Sequence, residues 1–235
     1  MITHSNLSRI IVYLRGLYSG RINSLREYQM LNRCSRVDRN IVEEFCDKCC
    51  LTRLTHNAND ILTAKGRNII ELCINDNGVE QFFRHLLKEY IREVKPGWAY
   101  KIPSGRAESL AAMTDDEKFC FFEAGLMRDP ASLDDVKWWD DVASYFRPSD
   151  EDFLLRIGRR GEYLTMQYEL ERTNCSPRWI SIESNYAGFD ILSRNDARST
   201  DKRLIEVKST ERFENEEFII IMSIINFITL KGRIK

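Results

Sequence analysis

Two short apolar segments in the last quarter of the chain carry charged residues at the spacing of β-strands. One reads Gly-Phe-Asp-Ile at 188–191 and the other Leu-Ile-Glu-Val-Lys at 204–208. Successive side chains on a strand point to opposite faces, so Glu206 and Lys208 share a face while the Ile and Val beside them pack on the other. If the strand with Asp190 pairs alongside, two carboxylates and one ammonium converge on one spot of a sheet.

That combination of charges is suited to cutting a phosphodiester bond. Two carboxylates supply the hard oxygen ligands that Mg²⁺ prefers, and they leave positions for water and a phosphate oxygen. A lysine beside the ion can orient or deprotonate the attacking water and offset charge that builds on the phosphate. The alternative for these residues is a surface salt bridge on an exposed strand face, which contributes little to stability.

The charge of the chain is balanced overall but uneven along its length. The 235 residues carry a net charge of −1, and this length suits one large domain or two small ones. Residues 1–67 contain 11 Lys and Arg against 6 Asp and Glu, whereas residues 101–150 contain 6 against 11. The overall charge does not point to nucleic acid, but any contact with nucleic acid is expected at the N-terminal end rather than in the middle.

Cysteine usage and hydropathy indicate the compartment. The 7 cysteines are an odd number, scattered without a disulfide pattern, and the N-terminus lacks the apolar segment of a signal peptide. The longest apolar run, 218–230, contains polar residues and is too short to span a bilayer. We therefore expect a cytoplasmic protein without a membrane partner.

The first third of the chain predicts three helices and a hairpin. Helices are expected to begin near Ser5 or Asn6, at Ser24 and at Ser35, followed by strands at 51–55 and 60–63. This layout, with the Leu-Thr-Ala-Lys-Gly phrase at 62–66, resembles the winged helix-turn-helix family, whose third helix enters the major groove. The resemblance implies DNA contacts by Arg33, Arg36, Arg39 and Asn40, and by His56 on the wing; protein binding alone is the alternative.

The remainder predicts a helical middle and an α/β end. A helix that stops at Pro96 begins the middle, and a helix after Ser149 begins the C-terminal part. Gly158 and Gly161 are costly inside that helix, so a strand or a phosphate is expected to approach the backbone there. Strands are expected at 179–183, 189–193 and 203–209.

This order of elements resembles the PD-(D/E)XK nuclease superfamily. Gly161-Glu162, the Gly-Phe-Asp-Ile segment and the Glu-Val-Lys segment look like the domain named after the C-terminus of the plant protein NO VEIN, over roughly residues 150–210. The resemblance departs at Phe189, where the superfamily name has proline, and after Thr210, where the Ile-rich tail reads as a truncated or out-of-frame ending.

The resemblance also implies residue roles. Asp190 and Glu206 would hold Mg²⁺ or Mn²⁺, and the backbone carbonyl of Val207 could be a further ligand. Lys208 would be the catalytic lysine and Glu162 the helix-borne acid that completes or tunes the metal site. Arg159 and Arg160, beside the helix glycines, are candidates to bind a DNA phosphate, with a solvated helix face as the alternative.

Two further motifs are interpreted as structural. Glu93-Val94-Lys95 repeats the Glu-x-Lys pattern, but it lies at the end of a predicted helix next to Pro96. The cysteines at 46, 49 and 50 look like half of a zinc site, yet no second Cys/His pair follows at suitable spacing. Buried thiols are the favoured interpretation.

Together the patterns predict an α+β protein in three parts. These are a winged helix at 1–75, a helical linker region at 76–147 and a restriction-endonuclease-like α/β domain with a mixed sheet at 148–235. The expected function is a Mg²⁺-dependent DNA endonuclease in restriction or phage defence. The alternative is a non-catalytic DNA-binding or regulatory protein with a degenerate nuclease fold. One site cuts one strand, so double-strand cleavage would require a homodimer or two binding events.

Overall fold

The computed structural model describes residues 2–75, 78–147, 149–212 and 217–225, which form helices and two small antiparallel sheets. The helices are α1 (His4–Tyr18), α2 (Leu25–Asn32), α3 (Arg36–Lys48), α4 (Ala64–Asn75), α5 (Val79–Val94), α6 (Arg106–Ala111), α7 (Asp115–Glu123), α8 (Leu133–Ala143) and α9 (Ser149–Thr173). The strands are β1 (Thr52–Leu54), β2 (Asp60–Leu62), β3 (Arg178–Trp179), β4 (Ile191–Arg194), β5 (Lys202–Arg212) and β6 (Glu217–Ile225). Short 3-10 segments cover Gly97–Ser104 and Ser144–Phe146.

The chain divides into two compact units. The first comprises Met1–Tyr100 and Ala112–Met127, and the second comprises Lys101–Ala111 and Arg128–Lys235. The residues that the sequence analysis assigned to a helical linker, 76–147, are thus shared between the two units. In the first unit α5 contacts α1, α3 and α4, because a continuous apolar stripe on α5 is buried there.

The start of the first unit follows the predicted order of three helices and a hairpin. Ser24 and Ser35 cap α2 and α3 as predicted, each accepting a backbone N–H with its hydroxyl. The first helix begins earlier than predicted, because Thr3 is its cap and accepts from the Asn6 N–H at 3.2 Å. β1 and β2 pair antiparallel, with Arg53 opposite Ile61.

The second unit holds a four-stranded sheet in the order β3-β4-β5-β6. Every described pair of neighbouring strands in it is antiparallel, so the predicted mixed sheet is wrong for this part of the chain. The physical reason is that each strand returns directly beside its predecessor, whereas a parallel neighbour needs a crossover connection. The sequence analysis did not predict β6, which pairs with residues 204–212 of β5.

Helix α9 packs on one face of this sheet. Ile191, Ile205 and Val207 form the buried strand side of that contact, with Met166 of α9 against them. A Cβ atom at Gly161 would lie 2.7 Å from the Ser209 Cβ, so glycine is required for the close approach of α9 to β5. The predicted approach of a strand to the helix backbone is confirmed at Gly161.

The most deeply buried side chains of α9 other than Gly161 are polar, and several apolar residues of the helix are exposed. Glu162, Thr165, Glu169 and Thr173 are at most 8% exposed, whereas Leu154 is 68% exposed. Glu169 is satisfied by hydrogen bonds from Ser193 at 2.6 Å and from Arg172. Hydrophobic periodicity therefore identifies the helix but not the side that meets the sheet.

Candidate functional site

The sheet brings Asp190 and Glu206 next to each other. Ile191 pairs with Ile205 across β4 and β5, Asp190 directly precedes β4, and the charge of Glu206 acts on Asp190. The Asp190 N–H donates to the Ile205 carbonyl at 2.9 Å, and its Oδ2 accepts from the Val207 N–H at 2.7 Å. The predicted pairing of these two strands is confirmed, and on β5 it places Glu206 and Lys208 on the face opposite to the buried Ile205 and Val207.

Lys208 is ion-paired with Glu206 on that face. The ammonium donates to Oε1 of Glu206, and the Lys208 side chain is 70% exposed. This hydrogen bond raises the pKa of Lys208, so the side chain is an ammonium at neutral pH. A protonated lysine can orient water and offset negative charge, but it cannot accept a proton, and the charge-offsetting role is therefore favoured.

Glu162 is buried on α9 rather than solvated. Its Oε2 atom accepts from the Trp179 indole N–H, from the Ser181 hydroxyl at 2.5 Å and from Nη1 of Arg159 at 2.8 Å. A buried carboxylate with three donors on one oxygen is held in a fixed position. Glu162 is therefore positioned by the surrounding residues, and its charge acts on Asp190.

Arg159 and Asp140 extend this network. The Arg159 guanidinium donates to both Asp140 oxygens, at 3.0 and 3.3 Å, and to the Ser181 hydroxyl at 2.6 Å. Burial raises the pKa of Asp140, and the charge of Arg159 opposes that rise. Arg159, predicted to bind a phosphate, thus has carboxylates as its partners here, while Arg160 is exposed. The sequence analysis did not assign site roles to Trp179, Ser181 or Asp140.

Three acidic groups influence one another at the site. The pKa of Asp190 is raised to about 6, chiefly by burial and further by the charges of Glu162 and Glu206, against the Val207 N–H bond that lowers it. Such a carboxyl carries unfavourable negative charge near neutral pH. A bound cation would relieve that repulsion.

A divalent metal ion at this site would need oxygen ligands from nearby side chains. Within the described residues, no three or more His, Cys, Asp or Glu side chains are grouped so that they could hold a metal. Mg²⁺ is commonly bound by one or two carboxylates, with waters and substrate phosphate oxygens as the other ligands. Asp190 and Glu206, adjacent and oxygen-bearing, fit that smaller requirement.

Replacing Asp190 with Asn should stabilise the protein at alkaline pH. The pKa of Asp190 in the folded protein is about 6, above the ordinary value of 3.8. The protonated carboxyl therefore stabilises the wild-type fold below about pH 4, and this contribution is lost as the pH rises through 6. Asn does not titrate, and its amide oxygen can still accept the Val207 N–H. In urea unfolding with chelator, the free energy of unfolding of the variant minus that of the wild type should be about 1 kcal/mol larger at pH 8 than at pH 4. This value includes a reduction for solvent screening, because the group is only half-buried. An equal difference at both pH values would contradict the assigned repulsion.

The predicted DNA contacts of the first unit lie along three elements. Arg33 ends α2 in the left-handed conformation with a φ of 51°, and the Arg39 guanidinium lies 3.7 Å from Glu43. The exposed members of the set are Arg33, Arg36, Asn40 and His56. Whether they contact DNA stays a prediction.

The two motifs interpreted as structural have structural surroundings. Cys46 and Cys49 are buried free thiols, and burial raises the pKa of Cys49 to about 12. The second Glu-x-Lys copy lies at the end of α5, where Glu93 is ion-paired with Lys65 at 3.1 Å. The interpretation as buried thiols is thus confirmed for Cys46 and Cys49, whereas Cys50 is exposed.

One comparison with known proteins gives a match. Residues 161–225 match the family model described as Protein NO VEIN, C-terminal. No curated protein and no solved structure matches the chain. The matched segment contains all four acidic and basic residues of the predicted catalytic set, Glu162, Asp190, Glu206 and Lys208. It also extends through β6, so the expectation that the resemblance ends at Thr210 is wrong.

No helix in the described ranges is both long and apolar enough to cross a membrane.

Proposed function

We propose that this protein is a divalent-metal-dependent DNA endonuclease of the PD-(D/E)XK type, acting in restriction or anti-phage defence. The observation that carries the proposal is the proximity of Asp190 to Glu206 at the β4–β5 pair, with Lys208 bonded to Glu206. The raised pKa of Asp190 supports it, because perturbed carboxyls cluster at functional sites. The similarity of residues 161–225 to the NO VEIN C-terminal family is consistent with it.

In this proposal each residue has a separate task. Asp190 and Glu206 would hold Mg²⁺ or Mn²⁺, with the Val207 carbonyl as a further ligand. When bound, such an ion supplies Lewis-acid polarisation and a bound water of lowered pKa. The Val207 N–H fixes the Asp190 carboxylate, and the Lys208 ammonium offsets charge on the phosphate. Glu162, held by Trp179, Ser181 and Arg159, tunes the charge at Asp190.

The first unit would hold the duplex as a winged helix. Its order of three helices and a hairpin suits that fold, and Arg36 and Asn40 are exposed on α3, the expected recognition helix. Contacts of this kind are mainly to phosphates, so binding should weaken steeply with salt. Cleavage of both strands would require a homodimer or two binding events.

A second candidate is a non-catalytic DNA-binding or regulatory protein that keeps a nuclease fold as scaffold. One observation favours it: the charged groups already satisfy one another, since Lys208 pairs with Glu206 and Arg159 pairs with Glu162. A site that is satisfied by its own residues does not need a metal to be stable.

Lys208→Ala separates the two candidates when it is compared with Lys95→Ala. Both lysines are exposed and both end a Glu-Val-Lys tripeptide, but only Lys208 lies beside Asp190. On plasmid, linear and base-modified DNA with Mg²⁺ or Mn²⁺, Lys208→Ala should cut roughly 10²–10⁴-fold more slowly. Lys95→Ala should cut like the wild type, and chelator should stop all cleavage.

The contrary results are equally specific. Cleavage that persists in Lys208→Ala, or in chelator, would contradict the assignment of Asp190, Glu206 and Lys208 as a metal-dependent catalytic site. DNA binding without cleavage of any of the substrates would favour the scaffold candidate.

A further inference from the structure

A second feature of the four-stranded sheet is a basic cleft at the end of β4 and the start of β5. Its volume is about 300 Å³, and its side chains come from the β3 region, β4 and the loop before β5. Three cations line it, namely Arg178, Arg194 and Lys202. In the part of the chain that the structure describes, no acidic residue lines it. The hydroxyls of Ser176 and Thr200 also line it, which adds neutral hydrogen-bond donors to the cations.

Two of these cations lie opposite each other in the strand ladder. Arg194 pairs with Lys202 in the antiparallel register of β4 and β5, and both side chains are exposed. Like charges at directly opposed positions are unfavourable in a sheet. Arg178 is partly neutralised by Asp129, whose carboxylate lies 2.9 Å from its guanidinium. An anion between Arg194 and Lys202 would turn a repulsive pair into a binding site.

The cleft and the candidate metal site share one face of the sheet. Along β4 the burial alternates, with Ile191 and Ser193 buried toward α9 and with Leu192 and Arg194 on the other side. Along β5, Ile205 and Val207 are buried, so Lys202, which pairs with Arg194, and Glu206 lie on the same side as Arg194. Four residues of extended strand separate Lys202 from Glu206 by about 13 Å, so one extended ligand could reach both ends of the face.

We propose that this cleft binds a phosphate of the nucleic-acid backbone, as a second contact along the strand whose scissile phosphate lies at Asp190 and Glu206. The choice of nucleic acid as the source of the phosphate rests on the proposed function. The chemistry of the cleft is that of a phosphate site by itself, because three cations and two hydroxyls line it and the nearby Asp129 carboxylate is paired with Arg178. The contact sets position on the backbone and carries no base preference.

The test is DNA binding by the full chain in chelator, so that it does not depend on cleavage. The variant Arg194→Gln/Lys202→Gln is compared with Lys137→Gln/Arg156→Gln, which removes the same charge from exposed positions on α8 and α9. Affinity for a short labelled duplex is measured from about 50 to 200 mM salt. The cleft variant should bind roughly five- to ten-fold more weakly, with a salt slope shallower by about 1.

Each control result has a defined meaning. Arg194→Lys keeps the charge and should bind like the wild type. Because the cleft variant removes a like-charge pair, its melting temperature without phosphate should equal or exceed that of the wild type.

Two outcomes would overturn the proposal. One is a salt slope that is the same in the cleft variant and in its control. The other is stabilisation of the wild type by inorganic phosphate with no change in DNA affinity, which would make the cleft a small-anion site. If the cleft variant shows a shallower salt slope but the wild type cleaves no DNA, the phosphate site at the cleft would be supported and only the nuclease proposal would be contradicted.

Discussion

Asp190→Asn should lower Mg²⁺-dependent DNA cleavage at least about 100-fold while DNA binding in chelator stays unchanged. The amide oxygen can still accept the Val207 N–H that positions residue 190, so the strand pairing is retained. The change removes one negative charge from the pair that would hold the ion, and neutral amides are weaker ligands for hard cations. We therefore expect a slower chemical step and a higher metal concentration for half-activity.

Asp196→Asn is the matched control for that substitution. Asp196 lies in the same unit, and its Oδ1 accepts the backbone N–H groups of Arg198 and Ser199, each at 2.8 Å. The same chemical change is thus made at a carboxylate that only caps a turn. Cleavage should be measured as single-turnover rates over a Mg²⁺ series. Equal rates for Asp190→Asn and the control would remove Asp190 from the proposed metal site.

Gly161→Ala should lower the free energy of unfolding by about 1–3 kcal/mol, because it overpacks the contact between α9 and β5. The added Cβ would lie 2.7 Å from the Ser209 Cβ and 3.3 Å from Cγ1 of Val207, and neither neighbour is the far end of a flexible chain. The higher helix propensity of alanine, worth about 1 kcal/mol, offsets only part of this cost. Displacement of β5 would also move Glu206 and Lys208, so cleavage should fall with stability.

Gly158→Ala is the matched change one turn earlier on the same helix. A Cβ there would meet only Oε1 of Glu162, at 3.9 Å, which is ordinary contact. Without a clash, the propensity gain should stabilise the helix by up to about 1 kcal/mol. Urea unfolding followed by tryptophan fluorescence reports mainly on the second unit, which contains Trp138, Trp139 and Trp179, whereas Trp98 lies in the first unit. Equal effects of the two substitutions would contradict the assigned packing of α9.

The sequence was sufficient where a local rule decides the structure. Ser24 and Ser35 were recognised as helix caps because a hydroxyl satisfies a backbone N–H within one turn. The spacing of Glu206 and Lys208 fixed them to one face of a strand, since the side-chain period of a strand is two. β6 was missed because the Ile-rich tail was interpreted as a truncated or out-of-frame ending, whereas in the structure it pairs with β5.

The candidate site shows the limit of local rules most clearly. The identity of its charged residues could be read from spacing and from the resemblance, but Glu162 lies on a helix whose most deeply buried side chains are polar. Its partners Trp179 and Ser181 come from another part of the chain, and no periodic pattern links them. Arg159 was expected to face a phosphate, and only the fold places it between Asp140 and Glu162.

The amino-acid sequence by itself determined several helix starts and the shared face of Glu206 and Lys208, because capping and strand alternation act within a few residues. Tertiary structure decided which strand lies beside which, how deeply Asp190 is buried and which carboxylates share Arg159. These properties depend on burial and on distances between residues far apart in the chain. Burial in the folded chain raises the pKa of Asp190 to about 6. Strand pairing places the basic cleft on the sheet face that carries Glu206.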